Sequence, residues 1–160
     1  MRIIILALLV IGAACMGGSD NSSEGRSPPQ NKSVIIFDAI EKTGIGVENV
    51  YTSNGSEIKK AFGLGDSHIE DDSLIAFIIF KYSTPEGIDK KLVLVLNTIY
   101  TTLSAEPSID GVLVMPHDPS IWTGKVSLIY TNRSYAEEVA AQNLPLIKFY
   151  NSFDIYMITD

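Results

Sequence analysis

The sequence predicts an α+β fold: a single domain with a mostly antiparallel sheet of about four or five strands and helices packed on one face. The segment Leu74–Phe80 is apolar without alternation, as expected for a strand buried on both faces of a sheet. Between Pro85 and Ala105 apolar residues recur every three or four positions, as in a helix that buries one side. Strands and helices do not alternate strictly, so a purely parallel α/β sheet is not expected.

Three short elements are predicted before the apolar strand. A helix is expected over residues 34–43, capped by Ser33. A strand is expected over residues 47–53. A short helical turn then begins at Ser56 and is stopped by Gly63.

The elements after the apolar strand are predicted in the same way. The long helix, which Pro107 ends, is expected to pack Leu92, Leu96 and Leu103 on the sheet. Two further strands, over residues 112–115 and 125–131, are expected to pair antiparallel through the loop between them.

A helix and a strand complete the predicted domain. Ser134 and Glu137 fit a capping box at the start of a short alanine-rich helix. Residues 153–158 are typical of a closing strand. The order in which the strands lie in the sheet does not follow from these patterns.

The first 15 residues have the composition of an export signal. One basic residue, Arg2, precedes an apolar run, and two small residues, Ala13 and Ala14, stand before Cys15, the only cysteine of the chain. This segment resembles a prokaryotic lipoprotein-type signal peptide, with Gly12 where leucine is the commonest residue. The resemblance implies cleavage before Cys15, a lipid on that cysteine, and attachment to the extracytoplasmic face of the cell membrane.

Two alternatives to lipidation stay open, and both depend on how the signal is processed. The run could serve as an ordinary secretion signal, or it could stay uncut as an anchor. A bilayer-spanning helix needs about 20 apolar residues, and this run is shorter. We therefore divide the chain into a signal peptide (1–14), a lipid-anchored flexible linker rich in Gly, Ser and Asn (15–33), and the α+β domain (34–160).

The charge of the chain excludes nucleic acid as an expected partner. The complete sequence has a net charge of −7, and removal of Arg2 with the signal would make it −8. Phosphate backbones are bound by clustered Lys and Arg, whereas the bases of this chain are scattered among acids. No phosphate-binding glycine motif or other cofactor motif is present, and no cofactor is predicted.

A Gly-rich loop holds the first candidate site. His68, Glu70, Asp71 and Asp72 have the side chains that could ligate a divalent cation. Metal sites usually draw ligands from more than one segment, so the competing interpretation is a loop of solvated charges.

The loop between the two later strands holds the second candidate. His117 and Asp118 could form an acid/base pair, but no nucleophile motif accompanies them, and a turn built by Pro116, Asp118 and Pro119 is the favoured interpretation. Trp122, in the same loop, is a candidate anchor for a binding partner. The aromatic residues that follow, among them Tyr130 and Tyr156, belong either to a contact surface or to the core.

Four asparagines stand in Asn-x-Ser sequons and are candidate glycosylation sites: Asn21, Asn31, Asn54 and Asn132. Their use requires a host that possesses the transferase.

These features favour a lipid-tethered binding or accessory protein of the cell envelope, which contacts the membrane through Cys15 and an envelope protein through its surface. No catalytic motif supports an enzyme. Two alternatives stay open: an extracytoplasmic hydrolase that uses the His117 loop, and a receptor for a small ligand or cation.

Overall fold

The computed structural model describes residues 31–80, 88–115, 125–142 and 153–159. Within these ranges the chain forms four helices and five strands, in the order α1 (Lys32–Glu41), β1 (Val47–Asn54), α2 (Gly55–Phe62), β2 (Leu74–Phe80), α3 (Ile88–Ala105), β3 (Gly111–Met115), β4 (Lys125–Asn132), α4 (Arg133–Gln142) and β5 (Asp154–Thr159). The predicted α+β class is confirmed.

The five strands form one sheet, in which they lie in the order of the sequence. Strands β2 and β3 are parallel because the long helix α3 connects them, and the other three neighbouring pairs are antiparallel. The predicted antiparallel pair of β3 and β4 is confirmed, with Leu113 opposite Tyr130. The sheet is therefore mixed but mostly antiparallel, as expected.

Strand β2 is buried on both faces, as its unbroken apolar run predicts. Its even-numbered residues join α1, α3 and α4 in one core cluster, and its odd-numbered residues join α2 in the other. The prediction that all helices pack on one face of the sheet is wrong for α2, which lies on the other face. Its apolar residues Ile58 and Phe62 pack on the opposite face, where the Phe62 ring meets Phe77 edge-on at 5.1 Å between centroids.

Helix α3 packs on the sheet through one apolar stripe, as its periodicity predicts. Val95, Ile99 and Leu103 belong to the core cluster of that face, and Leu96 is also buried. Leu92, which was expected in the same stripe, lies outside the residues whose surroundings are described.

Two helix caps differ from the prediction, because an asparagine precedes each expected serine cap. The Asn31 side chain caps α1 by accepting a hydrogen bond from the Ser33 backbone N–H at 3.2 Å. Asn132 caps α4 through Tyr135 N–H at 2.7 Å, so Ser134 is not the cap and no capping box forms. Asparagine is as good a cap as serine, and in both places it lies two residues earlier in the chain.

The predicted end of α2 is confirmed, since Gly63 has a left-handed φ of 67° directly after Phe62. Among the described residues, no helix is both long enough and apolar enough to cross a membrane.

Candidate functional site

A cleft of about 510 Å³ opens at one end of the sheet. Strands β2 and β3 begin at this end and β4 finishes there, because Ile75 pairs with Gly111 and Gly111 pairs with Asn132. Polar residues that precede or follow these strands are therefore brought together although they are distant in sequence. The volume lies within the usual range for small-molecule sites.

The rim of the cleft is acidic. Of the residues described, four exposed carboxylates line it: Glu70, Asp72, Asp110 and Glu137. They come from the loop before β2, from the turn before β3 and from α4. The charge of this surface is negative, since Arg133 is the one Lys or Arg among the lining residues described.

Arg133 ties the wall of the cleft to the end of α3. Its Nη2 donates to the carbonyl oxygens of Leu103 at 3.0 Å and Glu106 at 3.1 Å, and its Nε donates to Ile109 O at 2.8 Å. Its Nη1 lies 3.2 Å from Glu137 Oε1. A helix leaves its last carbonyl groups without partners inside the helix, and Arg133 donates to that of Leu103 and to two carbonyl groups just beyond the helix end. With the contact to Glu137, four of its five N–H groups are engaged.

Tyr130 is the buried residue of the cleft. It is only 3% exposed, yet it lines the cavity beneath the carboxylates. Its ring and hydroxyl lie directly over Gly111, where a Cβ would come within 2.9 Å of Oη. This close approach explains why the first position of β3 is a glycine.

The hydroxyl of Tyr130 is both shielded and surrounded by negative charge. Burial, followed by the neighbouring Tyr156 and the carboxylates of Glu70, Asp154 and Asp110, raises the pKa of Tyr130 to about 12. The hydroxyl therefore stays protonated at physiological pH. It makes no hydrogen bond with any residue that the structure describes.

The loop beside the cleft is fastened to β5 by His68. The His68 ring Nδ1 lies 3.2 Å from Asp154 Oδ2, and its backbone N–H donates to Tyr156 Oη at 3.3 Å. The Tyr156 hydroxyl in turn donates to Asp154 Oδ2 at 3.2 Å. These contacts fix one end of the loop that carries Glu70 and Asp72.

The other end of this loop is fastened to α2. Gly55 N–H donates to Ser73 O at 2.9 Å, and Ser56 N–H donates to Asp71 O at 3.0 Å. Lys59 Nζ lies 2.6 Å from Asp71 Oδ1 and also donates to Ile69 O at 3.3 Å. The Asp71 carboxylate is therefore paired with α2.

The first candidate cluster is thus divided by the structure. His68, Glu70 and Asp72 line the cleft, whereas Asp71 pairs with Lys59. In the ranges that the structure describes, no three His, Cys, Asp or Glu residues form a group that could hold a metal ion.

Several other candidates lie outside the described residues, namely Cys15, Asn21, His117, Asp118 and Trp122. The three described sequon asparagines, Asn31, Asn54 and Asn132, are all exposed. Asn31 and Asn132 also serve as helix caps.

Sequence reasoning missed Asp110 and Arg133, and it did not place Tyr130 in a site. Asp110 could have been found from the predicted strand pairing. It directly precedes β3, and the antiparallel pairing of β3 with β4 places the start of β3 beside Asn132 at the end of β4, where polar residues from both strand ends meet. No local pattern reveals Arg133, since its carbonyl partners lie 24 to 30 positions earlier in the chain.

Comparison with known proteins gives no relative: no protein-family model, curated protein or solved structure matches the chain. The fold and the cleft therefore have to be interpreted from their own chemistry.

Proposed function

We propose that this chain is a lipid-tethered, extracytoplasmic binding protein and that the cleft is its binding site. The observation that carries the proposal is the cleft itself, which is lined by the otherwise buried Tyr130 and by four exposed carboxylates. Small-molecule sites are concave and fix the orientation of a ligand through converging polar groups, and this cleft brings such groups together from several segments of the chain. The amino-terminal signal supplies the tether and the location.

The cleft supports a receptor more than a protein that acts through an apolar surface. Among the described residues the exposed large apolar side chains are Val34, Val93 and Ile155, which lie on three different elements. Protein-binding surfaces usually present a large contiguous apolar patch, and three exposed apolar side chains are few for such a surface.

The tether is tested by replacing Cys15 with serine. We expect the wild-type protein to incorporate radioactive fatty acid or isoprenoid and to sediment with membranes when expressed in a prokaryotic host. The Cys15→Ser variant should lose the label and either accumulate unprocessed or be released. Wild-type protein that takes up no label would contradict the lipid anchor and leave the binding site unaffected.

The binding site is tested with the full chain, ¹⁵N-labelled and solubilised in an uncharged detergent. Small cationic, anionic and uncharged compounds are titrated while the backbone amide signals are followed by NMR. We expect at least one class to shift amides around the cleft, such as those of Glu70, Asp110 and Arg133, while amides of α1 stay unchanged. If none of the three classes shifts the cleft amides, the cleft is not a small-molecule site.

A further inference from the structure

The charge at the cleft limits which ligands it can hold. Arg133 already donates four hydrogen bonds to protein oxygens, one of them to the Glu137 carboxylate, so one of its five N–H groups is left for a ligand. Within the described residues the Asp72 carboxylate accepts no hydrogen bond. The Asp110 carboxylate accepts one, which Leu74 N–H donates at 2.8 Å. The described lining therefore has four carboxylates against one Arg, and this excess of negative charge favours a positively charged ligand over an anion.

Tyr130 adds a hydroxyl group to the polar groups that line the cleft. Among the described residues, Ser67 Oγ is the one fully enclosed side-chain oxygen without a hydrogen-bond partner, so the Tyr130 oxygen is open to the cleft. The Tyr130 side chain is almost completely buried, lines the cleft, and has no hydrogen-bond partner in the part of the chain that the structure describes. Its oxygen has lone pairs that can accept a hydrogen bond from an N–H group of a bound molecule.

The positions of the carboxylates favour an organic cation over a metal ion. A bare metal ion needs several oxygen ligands within about 2.0 to 2.6 Å of one point. The described acids and histidines do not form such a group. An ammonium group with three N–H donors, or a planar guanidinium with five, can instead bridge acceptors that lie farther apart.

We propose that the cleft binds an organic cation through an ammonium or guanidinium group, whose N–H donors are accepted by the rim carboxylates and by the Tyr130 hydroxyl. This inference rests on the proposed function and gives it a ligand class. The group could belong to a free amine or to the side chain of a basic peptide, since both present the same chemistry to the cleft.

The test uses the labelled full chain and four probes. Cadaverine carries ammonium groups and agmatine also carries a guanidinium, whereas tetramethylammonium has the same type of charge without N–H donors, and acetate is an anion. End-blocked Gly-Lys-Gly and Gly-Arg-Gly peptides form a second arm, which distinguishes a peptide source from a free amine. Asp72→Asn and Tyr130→Phe alter the cleft, and Asp38→Asn on α1 is the matched control, an exposed acid outside the cleft.

We expect cadaverine or agmatine to shift the cleft amides with an affinity that falls as salt is added. Asp72→Asn should weaken binding about tenfold and Tyr130→Phe about threefold or more, while Asp38→Asn has little effect. Well-dispersed amide spectra of the variants show that they remain folded. Tighter binding of the peptides than of the free amines would identify a basic side chain as the natural ligand, and the reverse result would identify a free amine.

Other results would overturn the inference in distinguishable ways. Binding of acetate or uncharged compounds without the two amines would leave the cleft a binding site but remove its assignment to cations. Equal binding of tetramethylammonium, or equal weakening by Asp38→Asn, would show that general electrostatic attraction and not N–H recognition is responsible. No response to any probe, and none in the wider compound screen, would overturn the proposed function as well.

Discussion

Replacing Gly55 with alanine is expected to destabilise the protein by about 3 kcal/mol or more. Gly55 is buried at the junction of β1 and α2, and an added Cβ would overlap the backbone carbonyl oxygen of Glu70. The glycine cannot retreat, because its N–H donates to Ser73 O at 2.9 Å on the same loop. The loop must therefore move and lose backbone hydrogen bonds.

The measurement compares urea unfolding midpoints of the wild type, Gly55→Ala and the control Gly65→Ala. Gly65 has no heavy atom within 4 Å of the position of an added Cβ, so its substitution should change the midpoint little. The amide signals of residues 68–73 should shift in Gly55→Ala, since these residues carry part of the cleft. Similar midpoints for the two variants would show that the loop adapts without cost and would contradict this tight contact.

Much of the fold could be predicted because its strongest signals are local. The seven-residue apolar run of β2, the periodicity of α3 and the glycine after α2 each depend on residues within a few positions of one another. The caps were less predictable. Asn31 and Asn132 compete with Ser33 and Ser134 for the same role, and the choice depends on where each helix begins.

The side of the sheet that α2 covers was not predictable, because it depends on tertiary contacts. Ile58 and Phe62 could be buried against either face of the sheet, and only the fold shows that they pack beside the Phe77 ring. The order of the strands has the same origin. Strand β3 lies parallel to β2 only because α3 crosses over the sheet between them.

The cleft was predictable only in part. The acidic loop was identified as a candidate from composition, but the pairing of Asp71 with Lys59 depends on how α2 lies against that loop. Tyr130 is one of several aromatic residues in its region, and only the fold shows that its hydroxyl reaches the cavity over Gly111. A site assembled from strand ends needs the strand pairing before its members can be chosen.

Ile99→Ala is expected to cost about 2 to 5 kcal/mol of stability, because truncating a fully buried side chain leaves a cavity in a packed core. Ile99 is 0% exposed and belongs to the cluster that joins α1, α3 and the sheet. Asn97, two residues earlier on the same helix, is exposed, so Asn97→Ala is the matched control and should be close to neutral.

The two α3 variants also separate the core from the cleft. The carbonyls that Arg133 holds lie at the end of α3, at Leu103 and beyond, one turn past Ile99. Since α3 remains helical in the folded fraction, Ile99→Ala should lower the urea midpoint strongly while cleft amides respond to cadaverine as in the wild type. Equal midpoints for Ile99→Ala and Asn97→Ala would refute the packing of α3 on the sheet, because a surface position and a core position differ in the apolar contacts they lose.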